Sequence, residues 1–160
     1  MNQLSLLLIA ALAVTDAHAS DAARQIEGVW RFEDEVDRRA DGSAFTAGPA
    51  LGYEGILIFT ADGYMSSTLM PKGRKWTVDK ASPTDCHDTL ARGSAHAGRY
   101  VVDPKAHTIK IESSVSLDPS EEGTWYLNRY SLENDTLSIS GNWTYEGEKL
   151  TFTVRLARIK

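Results

Sequence analysis

Residues 136–145, Thr-Leu-Ser-Ile-Ser-Gly-Asn-Trp-Thr-Tyr, alternate position by position. Leu137, Ile139, Gly141, Trp143 and Tyr145 share one face, and Thr136, Ser138, Ser140, Asn142 and Thr144 share the other. Successive side chains of a β-strand point to opposite faces, so this pattern predicts a strand with one buried side. Residues 149–159 repeat it, with Leu150, Phe152, Val154 and Leu156 opposing Thr151, Thr153 and Arg155. Glu146-Gly147-Glu148 supplies the turn between the two, which makes them a hairpin.

Working outward, the same period of two recurs. In 26–36, Ile26, Gly28, Trp30 and Phe32 oppose Glu27, Arg31 and Glu33; in 95–103, Gly98, Tyr100 and Val102 share a face; in 107–116, Ile109, Ile111 and Val115 oppose Lys110, Glu112 and Ser114. Turn residues at 61–63, 103–105 and 133–135 separate further runs. The predicted strands are 26–36, 54–60, 64–70, 95–103, 107–116, 123–132, 136–144 and 149–159, with room for a short helix in 78–93. Apolar residues run without alternation in 54–60 and 64–70, so inward positions are least defined there.

Eight antiparallel strands joined mostly by hairpins predict an all-β fold, an eight-stranded up-and-down barrel, in which closure removes both sheet edges. A β-sandwich is the rival architecture. Loops of a meander fall at alternate ends. The short turns 61–63, 104–106 and 133–135 gather at one end, while 37–53, 71–94, 117–122 and 145–148 gather at the other. One mouth is therefore elaborated, and that is where binding is expected. At the plain end, closure brings Arg158 beside Trp30, where a guanidinium over an indole plugs the barrel. Gly28, Trp30 and Arg158 are the expected structural residues.

Residues 1–19 read as a signal peptide. The apolar run Leu4–Val14 is too short to span a bilayer and ends in Ala17-His18-Ala19, a small-x-small cleavage pattern. The expected product is a periplasmic or secreted domain over 20–160. No other run approaches spanning length, so no membrane span is expected. Hydrophobic residues are 42% and charged residues 24%, which excludes a wholly disordered chain. Lys plus Arg number 17 against 22 Asp plus Glu, and the net charge of −5 argues against nucleic acid as partner. The single cysteine, Cys86, can form neither an internal disulfide nor a Cys-rich zinc site.

Gly28-Val29-Trp30 with a late Arg resembles the lipocalin signature. Gly55-Ile56-Leu57-Ile58-Phe59-Thr60-Ala61-Asp62-Gly63-Tyr64-Met65-Ser66 resembles the hairpin of the bacterial and fungal lipocalin-like domain family, and Gly98-Arg99-Tyr100-Val101-Val102 is similar to a later strand of it. The resemblance runs over about 26–159 and implies a calycin-type barrel with a small-ligand cavity. The chain departs from that pattern where many members carry a His; here Ile109, Ile111 and Glu112 stand.

Chemistry is sparser. His87, His96 and His107 lack metal-ligand spacing, and there is no Gly-x-Ser-x-Gly elbow or phosphate loop, so no metal and no cofactor are expected. His96 shares parity with Gly98 and Tyr100 and begins its strand at the elaborated end, so it is either a solvated loop-edge residue or a cavity group. The leading expectation is a barrel binding a small hydrophobic molecule, lined by Phe32, Leu57, Phe59, His96, Tyr100, Ile111, Ser113, Tyr126, Asn128, Trp143 and Phe152. The alternatives are an isomerase or cyclase on a polyketide-like molecule, with His96 as its only nameable acid or base, and a filled barrel without ligand acting as an interaction module. Sequence leaves the oligomeric state open.

Overall fold

The computed structural model describes residues 24–46 and 52–160; the expected signal segment lies outside them. Ten strands form: β1 Gly28–Arg38, β2 Ala44–Phe45, β3 Tyr53–Phe59, β4 Tyr64–Pro71, β5 Ser94–Asp103, β6 Thr108–Ser113, β7 Val115–Ser116, β8 Thr124–Glu133, β9 Thr136–Tyr145 and β10 Glu148–Arg158. Eight of them close a ring of antiparallel pairings, β1-β3-β4-β5-β6-β8-β9-β10 and back to β1. That last pairing settles barrel against sandwich. The short β2 extends β1, and β7 pairs with β5 beside β6, so the expected strand 107–116 is interrupted at Ser114. Helix α1, Pro83–Arg92, lies within the β4–β5 connection.

The inward alternation builds a core on the plain half of the barrel. Ile26, Trp30, Phe59, Met65, Ile109, Leu137 and Leu156 are nearly or completely inaccessible, with Phe32, Leu57, Tyr100, Val102, Ile111 and Ile139 packed on them. Phe59 and Tyr100 meet edge to face with centroids 5.1 Å apart, and the Tyr100 hydroxyl donates to the Thr60 carbonyl at 2.9 Å. At the rim, Glu146 and Gly147 both have positive φ, 47° and 85°, the geometry that a tight hairpin matching strand twist requires.

The expected plug is present. Trp30 and Arg158 are directly paired across β1 and β10, and the guanidinium lies 4.1 Å from the Trp30 ring centre. Arg158 also donates to the carbonyls of Glu27 at 2.6 Å and Gln25 at 2.5 Å, and the Trp30 indole donates to the Ile26 carbonyl at 2.8 Å. One arginine thus caps the chain entering the barrel and covers the aromatic floor. Gly28 makes room for it, with φ of 123° and a position where any Cβ would lie 2.9 Å from Arg158 Nη1.

Arg158→Leu removes two charge-assisted bonds and the cation–π contact, and is expected to cost about 2–4 kcal/mol of unfolding free energy in urea titrations. Arg158→Lys keeps the charge without the planar fork and falls between the two. A Leu variant as stable as the parent contradicts the capping role.

Candidate functional site

The register of β1 against β10 slips once. Trp30 faces Arg158 and Phe32 faces Leu156, but Asp34 faces Arg155, so two residues of β1 oppose one of β10 between Phe32 and Asp34. A β-bulge of this kind reverses which side chains point inward. Beyond it, Glu35 pairs with Val154 and Asp37 with Phe152, both on the inward face of β10, while Asp34 meets Arg155 at 3.4 Å through Oδ2 and keeps Oδ1 buried without a partner. The even-numbered face inferred from Ile26, Gly28, Trp30 and Phe32 therefore ends at Phe32. Two carboxyls take its place at the mouth.

They border a cavity of about 570 Å³. Phe32, Tyr53, Leu69, Trp143 and Phe152 form its apolar wall, Phe45 of β2 closes one side, and Lys72 and Arg92 stand at the rim. Phe45, Trp143 and Tyr145 form an aromatic cluster with centroid separations of 5.4–6.4 Å. The Trp143 indole donates to Asp37 Oδ1 at 2.9 Å. Gly141 on β9 lets Asn128 and the Phe152 ring approach the backbone closely, since a Cβ there would lie 2.2 Å from Asn128 Oδ1 and 2.7 Å from the ring.

The carboxyls are electrostatically uncomfortable. Glu35 keeps accessible surface, but that surface opens on the cavity. The surrounding protein, and then the negative charge of Asp37, push its carboxyl up to about 7. Asp37 is also raised by burial, with the Trp143 hydrogen bond opposing the change.

The residues expected from sequence separate into three groups. Phe32, Trp143 and Phe152 line this cavity. Leu57, Phe59, Tyr100 and Ile111 belong to the packed core, and Ser113 and Asn128 are buried without lining the cavity, the Ser113 hydroxyl having no partner. His96 and Tyr126 sit elsewhere on the open half. His96 lies opposite Ser67 and Ser116, half-buried, and desolvation lowers its pKa against the pull of Glu121, which keeps the imidazole neutral at pH 7. Glu121, which accepts from Ser116 at 2.9 Å, is the carboxylate near His96 that sequence could not name. Tyr126 is paired with Ile111 and partly exposed. Sequence reasoning missed Glu35 and Asp37. The signal available was the charge run Glu33-Asp34-Glu35-Val36-Asp37, which no single strand face can accommodate.

The model of the lipocalin-like domain family matches residues 27–156. The chain belongs to that family. Its closed eight-stranded barrel is the lipocalin-like fold, with a plugged end and an open mouth that suit a small-molecule-binding barrel. No curated protein and no solved structure matches the chain. Among the described residues no helix is long and apolar enough to cross a membrane, and no group of His, Cys, Asp and Glu converges as a metal site.

A carboxyl raised from 4.5 to about 7 in the folded state binds more protons there than in the unfolded chain across that interval. Stability is therefore full below the unfolded value and falls as pH rises through about 7. Thermal unfolding from pH 5 to 8 is expected to show that decline in the parent and a flatter profile in Glu35→Gln. Parallel profiles would place Glu35 in ordinary solvent.

Proposed function

We propose that this lipocalin-like protein is an exported carrier of a small hydrophobic molecule, held in the cavity at the open mouth. The observation that carries the reading is the cavity itself, about 570 Å³ walled by Phe32, Tyr53, Leu69, Trp143 and Phe152 above a solid core. Ligand pockets of this volume and character bind by burying apolar area at roughly 25 cal/mol per Å², with a few polar groups setting orientation. Export is the role of the segment 1–19, with the mature domain starting near Ser20. His96, the one acid or base that the sequence offered for an isomerase, does not line the cavity.

Nile red, an uncharged apolar dye, tests this. It is expected to bind the purified protein with a blue-shifted emission. Leu69→Trp, which fills the cavity, should lower its affinity about tenfold or more. Ile111→Val, in the packed half, should cost about 1 kcal/mol of stability and leave dye affinity unchanged. Equal dye affinity in the parent and the Trp variant would exclude the mouth cavity as the site.

A further inference from the structure

Acidic side chains of β1 meet different fates on its two faces. Glu33 pairs with Arg31 at 2.7 Å and Asp34 with Arg155 at 3.4 Å. Other nearby cations are also committed: Arg39 to Glu148 at 2.9 Å, and Arg74 to Glu54 at 3.2 Å. Glu35 and Asp37, by contrast, have no ion pair among the described residues. All four acids border the cavity, and beyond the bulge Glu35 and Asp37 share the inward face of β1, two residues and about 7 Å apart along the strand.

Every element around the pair bears on its charge. β9 and β10 present Trp143 and Phe152, which are uncharged; β3 presents Tyr53; Lys72 stands at the end of β4 and Arg92 at the end of α1. Neither rim cation offsets the burial of Glu35 or Asp37. Among the described residues, the hydrogen bond to the pair's carboxyls is that of the Trp143 indole to one oxygen of Asp37. Unpaired carboxylates facing a partly desolvated space are costly, and an entering cation removes that cost. The aromatic wall of Phe32, Phe45, Tyr53, Trp143 and Phe152 favours the same charge through its ring faces.

Resting on the carrier reading, we propose that the cavity selects molecules joining a basic nitrogen to an apolar or aromatic body. The ammonium lies at Glu35 and Asp37, and the body packs on Phe32, Leu69 and Phe152. Binding then couples to proton release from the pair, so affinity for such a ligand rises with pH across the range in which Glu35 ionises.

The experiment is calorimetric titration of the full protein with 2-(1-naphthyl)ethylamine, its neutral counterpart 2-(1-naphthyl)ethanol, and 1-naphthylacetate. At about pH 8 the amine is expected to bind about tenfold tighter than the alcohol, a preference that shrinks towards about pH 5.5 as Glu35 protonates. The near-isosteric double variant Glu35→Gln/Asp37→Asn should bring the amine down to the alcohol's affinity and leave the alcohol's unchanged, which also shows that the site still folds. Equal affinity of amine and alcohol for the parent at about pH 8 overturns the inference while sparing the carrier reading. Tighter binding of naphthylacetate does the same and assigns selectivity to Lys72 and Arg92. If none of the three binds, the carrier reading fails with it.

Discussion

The antiparallel pairing of β1 with β10 is the constraint on which the rest of the structure depends. It joins the two ends of the meander, so no strand of the barrel is left with an open edge. It sets Arg158 over Trp30, which seals one end. It also contains the one register slip between Phe32 and Asp34, and that slip decides what the other end presents. Below the bulge β1 gives the interior Trp30 and Phe32. Above it, the same strand gives two carboxyls. A single extra residue thus changes the barrel from a packed core to a polar-tipped cavity.

The two halves serve different ends. In the plain half, burial of large side chains and the tethering of residues 25–27 by Arg158 supply stability. In the open half, a cavity replaces the packed core: β2 and α1 border the mouth, Asn128 and Phe152 close tightly on Gly141 beneath it, and Glu35 sits where its ionised form is disfavoured. Strain of this kind at a site is maintained only because the rest of the fold over-determines it. Here the sealed half and the closed hydrogen-bond ring do so.

Much of this was legible in the residues. Alternation in 136–145 and 149–159 marks the β9–β10 hairpin because each strand has one buried face, and turn residues locate its end. The strand count and loop lengths led to closure, and closure led to the Trp30–Arg158 contact. Helix α1 escapes periodicity because none of its residues is buried; its start is written instead in a local code, Ser82 capping Asp85 N–H with Pro83 in the first turn. Ser114 breaks strand 107–116 for a reason that alternation does not express, the pairing of Val115 and Ser116 with β5 alone. The bulge in β1 was invisible because parity was extended from Trp30 and Phe32. The cavity's extent depends on how side chains of seven strands, helix α1 and two loops fill space, which no linear pattern encodes. Hence Phe59, Tyr100 and Ile111, correctly inward, lie in the core rather than at the cavity wall.

The account turns on two carboxyls facing inward, and the most direct measurement is an NMR titration of the Glu35 side-chain carboxyl carbon in the uniformly labelled protein. The account predicts a midpoint near 7, with a second, smaller inflection reporting Asp37. A single midpoint near 4.5, the value for a carboxyl free in water, would mean that Glu35 faces bulk solvent rather than a desolvated cavity and would contradict the account.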